Sequence, residues 1–334
     1  MENRPKNLLV VAAADDAGVQ ICYRIPFELL TAQQFATYRI LRESEFQLGD
    51  LEKVDCLILY RCLRGETLSL ARYARRKKLQ VVYELDDDLL DPPADASWGL
   101  RYIRNGLPQI IGLFLESATV IKAGSPELAV RIGAKGFPVI HHPYPVIIRE
   151  IPPEKDKPPC RIGYFGTPHH QNDITAIFPA LTALEREFGD EVEFEFLGCA
   201  PPEWPKLKRA CFLSCNLKYE CFLDTLTARQ WSIGLAPLQP TRFNGAKSNG
   251  KFRDYTAAGI PGIYADWTPY RDCVRHGVSG WLCGPDSEEW LRVIRQVLRE
   301  EKRNEVLTAA RDLVRIDHSA AAAAQKWRLL LGQE

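Results

Sequence analysis

Lys247, Lys251 and Asp254 recur at intervals of four and three residues. On a helix those intervals stack side chains along one face. Two ammonium groups placed that way reach the same pair of phosphates, and a carboxylate one turn further on can accept both hydroxyls of a ribose. Ser248 is a favourable N-cap, so a helix is expected over 248–258. The open amides of Ser248, Asn249 and Gly250 would bind an anion with help from the helix dipole. The same spacing also describes an ordinary capped helix with a solvated basic face, and spacing alone leaves both readings open.

A second candidate is Arg161-Ile-Gly-Tyr-Phe-Gly-Thr-Pro-His-His-Gln-Asn-Asp173. Gly166 directly follows an apolar strand and allows a ligand to approach the backbone. Thr167, His170 and Asp173 follow on the turn, with Asp173 expected to cap a helix over 173–188. A third is Val81-Val-Tyr-Glu-Leu-Asp-Asp-Asp-Leu-Leu90. Three aspartates after a buried strand have the donor chemistry for a divalent cation. Asp88 and Asp91 read as solvent-facing or helix-capping. His141 and His142 stand beside Pro143 and Pro145 and read as hinge residues. The sequence contains no Ser/His/Asp or Cys/His nucleophile pattern and no phosphate-binding Gly-x-x-x-x-Gly-Lys-Ser/Thr loop.

The elements that would hold these residues alternate. Apolar runs over 8–14, 56–60, 80–85, 119–123 and 139–142 read as buried strands, separated by helical spacing over 67–77 and 102–116. Strands apolar on both faces belong to a parallel sheet covered by helices on each side. Residues 145–160 carry five prolines and a charged cluster, the best linker in the chain. The alternation restarts with strands over 161–165, 192–197, 233–237 and 261–265, with helices between them over 173–188, 219–230 and 248–258. The expected organisation is α/β, with two doubly wound Rossmann-like domains: residues 1–145, a linker at 146–160, and residues 161–318. A last helix over 319–331 closes the chain. Such folds bind ligands at the carboxyl ends of their strands.

Composition sets limits on partners. With 334 residues the chain is long enough for two cores. Its 43 basic and 43 acidic residues balance, so no global charge points to nucleic acid. The local run Arg72, Arg75, Arg76, Lys77 and Lys78 reads as a solvated helix end. No apolar run approaches the roughly 20 residues that span a bilayer, and the run at 8–11 is too short for a signal peptide. Ten scattered cysteines with no Cys-x-x-Cys pair read as reduced thiols, placing the chain in the cytoplasm with no metal.

Two contiguous runs carry a resemblance. One extends from Pro237 through Asn244-Gly-Ala-Lys-Ser-Asn-Gly-Lys251 and Asp254 to Ala258-Gly-Ile-Pro261. The other extends from Ala265 to His276-Gly-Val-Ser-Gly-Trp-Leu-Cys283. Together they resemble the donor-binding core of GT-B glycosyltransferases, in particular glycosyltransferase family 4. That family carries two glutamates separated by seven residues; the second falls on Asp254 and the first on Ala246. Asn244 or Lys247 would then replace the missing contact to the donor sugar.

The resemblance implies a GT-B fold and transfer of a sugar from a nucleotide diphosphate sugar, UDP- or GDP-linked, to an acceptor hydroxyl. It implies retention of configuration, with no metal and no cofactor. The acceptor would be a glycan, a lipid-linked or another hydroxyl compound, with peripheral membrane contact left open. Laid on the family pattern, Asp86 takes the place of a sugar-contacting histidine, with Asp87 beside it. His170 and Asp173 stand where relatives place an Arg and a Lys. Tyr23-Arg24-Ile25-Pro26 makes Arg24 a phosphate or acceptor contact. The last helix would pack back on the N-terminal domain. Three rivals remain: a metal-dependent GT-A enzyme using Asp86 and Asp88, disfavoured by the second doubly wound half; a sugar-nucleotide epimerase on the same architecture; and a catalytically inactive binding module.

Overall fold

Strands such as Cys56–Tyr60, in which every residue is buried, can only lie inside a sheet covered on both faces. A computed structural model describes residues 4–94, 96–151, 159–215 and 218–332. The chain divides into two units, one over Met1–Pro145, Ala246–Ser248 and His318–Glu334, the other over Val146–Gly245 and Asn249–Asp317.

The first unit holds β1 (Lys6–Ala12), β2 (Ala36–Arg42), β3 (Cys56–Tyr60), β4 (Gln80–Leu85), β5 (Val120–Ala123) and β6 (Val139–His141). All pair in parallel, in the order β2-β1-β3-β4-β5-β6. Alternation gives the sheet two faces. Leu9, Val11, Leu57, Leu59, Val81 and Tyr83 pack with Leu68, Ile111, Phe114 and Leu128 from the helices Gly65–Arg76, Leu107–Ser117 and Pro126–Gly133. Glu84, one residue out of phase, meets Tyr23, whose ring also touches Trp327. The helices Ile25–Ala32 and Ala320–Leu330 therefore cover the opposite face.

The second unit holds β7 (Cys160–Phe165), β8 (Val192–Leu197), β9 (Ala210–Leu213), β10 (Ile233–Ala236), β11 (Gly262–Ala265) and β12 (Trp281–Cys283). Its parallel sheet runs β9-β8-β7-β10-β11-β12. Counted from its own first strand this is the order 3-2-1-4-5-6, whose direction reverses between the first and fourth strands. That switch point lies between β7 and β10. In the first unit it lies between β1 and β3.

Several sequence expectations are corrected. The helix expected over 102–116 is two, Ser97–Arg104 and Leu107–Ser117, broken at Gly106 with φ 68°. The helix expected over 173–188 is likewise two, Gln171–Thr175 and Phe178–Phe188. The helix expected from Ser248 runs Gly250–Ala257 with Asn249 at its N-cap, so Ser248 does not cap it. Strands β2 and β9, both at sheet edges, were not expected. Of the linker at 146–160, residues 146–151 belong to the second unit, where Arg149 N–H donates to Ala257 at 2.9 Å and Arg149 pairs with Asp224 at 2.7 Å. Residues 152–158 lie outside the described residues.

Candidate functional site

In the second unit, β7 ends at Phe165 and the chain turns through Gly166 and Thr167 into the short turn Pro168–His170. Gly198, at the end of β8 with φ 78°, keeps this turn tight; a Cβ there would stand 2.7 Å from the Gly166 carbonyl. Thr167 is exposed, and its carbonyl accepts from His170 N–H at 2.9 Å. Asp173 lies in the first turn of Gln171–Thr175 rather than at its cap, and is buried. Its Oδ1 accepts from Gln239 N–H at 2.8 Å and from Asn244 Nδ2 at 3.3 Å, while Oδ2 lies 2.8 Å from His170 Nδ1. Gln239 belongs to the loop that leaves β10 and Asn244 to the short helix Arg242–Gly245 that follows it, so Asp173 ties together the two connections at the switch point. Asp173 was expected at the donor site, and its carboxylate bonds Gln239, Asn244 and His170 there.

The helix Gly250–Ala257 starts beyond that loop. Lys251 is buried, with Nζ 5.4 Å from the Tyr164 ring centroid and 5.3 Å from that of Phe165. Aromatic faces at this distance attract an ammonium group. Asp254, one turn on, is also buried, and its Oδ1 accepts from Tyr219 O–H at 2.6 Å and Arg253 Nε at 2.8 Å.

In the first unit, the three aspartates after β4 diverge. Asp86 is clamped by Arg61, which donates from Nε to Oδ1 at 2.6 Å and from Nη2 to Oδ2, and by Tyr60 O–H at 3.2 Å. Arg61 sits in the left-handed region at φ 52°, where strain needs surrounding contacts to persist. Burial works against the charge of its guanidinium, but Asp86 outweighs this and holds it more firmly charged than usual. Arg61 also lies 3.7 Å from Asp16. Asp87 Oδ1 is 3.5 Å from Lys247 Nζ. Asp88, expected to face solvent or cap a helix, is buried and accepts from Arg131 Nη1 at 3.0 Å. Among the described residues no three His, Cys, Asp or Glu gather as a metal site.

Arg24 ends the π-helical turn Gln20–Arg24 and pairs with Asp15 at 2.8 Å. Ala246 is fully buried in the core of the first unit, and its carbonyl accepts from Ser125 Oγ at 2.6 Å. Lys247 and Ser248 share that unit, whereas Asn249, Gly250, Lys251 and Asp254 belong to the second. Sequence reasoning missed Arg61, which stands in no motif. It also missed the buried Glu84–Lys122 pair at 2.7 Å, which Tyr23 O–H joins at 2.5 Å.

No family model matches the chain, and no curated protein matches it in sequence. Among solved structures, Anabaena HepE in complex with UDP and glucose superposes with a TM-score of 0.69 at 14% identity, over 98% of this chain and 99% of that one. The apo structure of OtsA gives 0.66 at 11% identity, over 98% and 99%. A glycosyltransferase from Rickettsia africae gives 0.66 at 11%, over 98% of both chains.

The fold is GT-B. In its GT-B second unit, the loops after β7 and β10 meet where an open α/β sheet binds ligands. No helix among the described residues is long and apolar enough to cross a membrane.

Proposed function

We propose that the chain is a retaining glycosyltransferase that transfers a sugar from a nucleotide diphosphate sugar to an acceptor hydroxyl without a metal. The observation that carries this reading is that Lys251 and Asp254 are both buried on the helix after β10, at the switch point of a GT-B unit. Solved neighbours at this fold include HepE bound to UDP and to UDP-glucose.

As the donor breaks, negative charge develops on the diphosphate. Lys251, Lys247 and the amides of Ser248, Asn249 and Gly250 stabilise it, an electrostatic gain that is larger in the transition state than in the ground state. Asp254 accepts the ribose hydroxyls. Gly166 and Thr167 line the diphosphate, and Asn244 takes the place of the family glutamate lost at Ala246. His170 of the second unit and Asp86 and Asp87 of the first are the candidate catalytic residues, and the acceptor proton leaves with the departing phosphate. Arg24 contacts a phosphate or the acceptor, and the acceptor is a glycan, a lipid-linked or another hydroxyl compound in the cytoplasm. Ten free thiols support that compartment.

A thermal-shift screen across nucleoside diphosphates and their sugars tests the reading. A diphosphate-dependent rise in Tm is expected, followed by transfer from the stabilising donor. No stabilisation by any member would overturn the proposal. Conversion of the donor without an acceptor would replace it with the epimerase reading.

A further inference from the structure

Asp173 has two oxygens facing two different tasks. Oδ1 takes the Gln239 amide and the Asn244 side-chain amide, both obligate donors. Oδ2 faces the Nδ1 of His170, whose side chain is 19% exposed against 5% for Asp173. A carboxylate only accepts, so the ring nitrogen opposite Oδ2 must carry the proton. In a neutral imidazole the other nitrogen, Nε2, is then an acceptor.

We propose that Asp173 is a positioning residue that locks His170 in the Nδ1–H form, so that Nε2 reads a substrate hydroxyl and not a phosphate oxygen. To the neutral ring a phosphate offers only acceptors, from which Nε2 gains nothing, whereas a hydroxyl of the transferred sugar or the acceptor can donate. The same carboxylate holds the β10 loop through Gln239 and Asn244, so ring tautomer and loop position are set by one side chain. The substrate part of this inference rests on the glycosyltransferase reading; the tautomer part does not.

Asp173→Asn separates the two. Its carbonyl oxygen can still accept from Gln239 and Asn244, so the loop keeps its anchor. Its NH₂ then faces His170 and can only donate, which forces Nδ1 to become the acceptor and Nε2 the donor. Replacing an orienting carboxylate by its amide is known to leave geometry intact while selecting the wrong tautomer.

The test uses the full chain labelled with ¹⁵N and long-range ¹H–¹⁵N correlations of its histidine rings. The His170 signals are assigned by their loss in His170→Gln. The wild type should show protonated Nδ1 and bare Nε2, and Asp173→Asn should invert the pattern with Tm nearly unchanged. A wild-type Nε2–H ring, or a pattern indifferent to Asp173→Asn, overturns the lock. In transfer assays kcat of the amide variant should fall about tenfold or more, the scale of one mis-paired polar contact, with donor KM nearly unchanged. An inverted tautomer with unchanged kcat would overturn the hydroxyl-reading role. Failure to find any donor would count against the transferase reading and leave the ring measurement standing.

Discussion

Tyr219 donates its phenolic O–H to Asp254 Oδ1 across 2.6 Å, and the two side chains are buried together. Burial, the largest influence, lifts the Tyr219 phenol well above its ordinary range, so it remains a donor. Arg253 Nε supplies a second bond to the same oxygen. Asp254 is thus oriented before any ligand arrives. Asp254→Ala should weaken nucleoside diphosphate binding by about 1–3 kcal/mol and also lower Tm, because Tyr219 and Arg253 both lose a buried acceptor. Tyr219→Phe should cost only about 0.5–1.5 kcal/mol of stability and leave binding nearly intact. Calorimetry on both variants checks this; equal affinities for wild type and Asp254→Ala would remove Asp254 from the site.

Asp86, Asp87 and Asp88 face Arg61, Lys247 and Arg131 respectively. Carboxylates already facing cations are poor ligands for a divalent ion, since the metal would have to displace each partner. Transfer is expected to survive excess chelator. Complete loss, with rescue by manganese or magnesium, would make Asp86 and Asp88 metal ligands.

The central strands were legible because β3 and β4 are continuous apolar runs, the mark of burial on both faces. Strand β2 was not, because at the sheet edge Thr37 and Arg39 face solvent and interrupt the run. The helix carrying Lys251 and Asp254 was legible from spacing, though not its start, since Ser248 was the better cap on paper. Arg61 and Asp88 were opaque for a different reason. Asp88 meets Arg131 across 43 residues of sequence, and the left-handed turn at Arg61 is imposed by contacts that no local pattern encodes.

Ala246 occupies the place of a family glutamate but is 0% exposed among Leu85, Leu89, Ala123 and Leu128. Restoring the glutamate should therefore harm the protein. Ala246→Glu would bury a carboxylate with no cation provided for it, which costs several kcal/mol. Its Tm should fall sharply, while Ala246→Gly should cost about 1 kcal/mol. A glutamate variant that melts with the wild type and transfers faster would show that the side chain escapes the core.

His141 and His142 are both held far below the ordinary imidazole value, to about 4 and about 3, by burial first and Lys122 second. Both are neutral when folded, whereas in the unfolded chain they charge below about 6.5. Their stabilisation is complete above that value and is lost as pH falls toward about 4 and about 3, because the unfolded state binds more protons. Tm should drop on acidification from pH 7.5 to 5, and the drop should be shallower in His142→Asn. Parallel curves for the two proteins would show that His142 titrates alike in both states.

Trp327 is 1% exposed in the last helix, Ala320–Leu330, which Ser319 caps by accepting from Ala322 N–H at 3.1 Å. Its ring meets Phe27 edge-on at 5.0 Å, Tyr23 at 6.2 Å and His142 at 5.9 Å. Tyr23 is in turn bonded to the buried Glu84, so the tryptophan braces a side chain that completes the Glu84–Lys122 pair. Removing it opens a cavity against an aromatic cluster that cannot collapse without moving Tyr23. Trp327→Ala should cost about 3–5 kcal/mol, which for a unit of this size lowers Tm by about 6–20 °C. Trp327→Phe should recover most of that loss by refilling the space. Deleting the chain from Ser319 onward exposes the same face and should lose stability and transfer activity together. Differential scanning calorimetry of the three variants decides the matter. A truncated chain that melts and turns over like the full one would show that the aromatic cluster holds without its tryptophan.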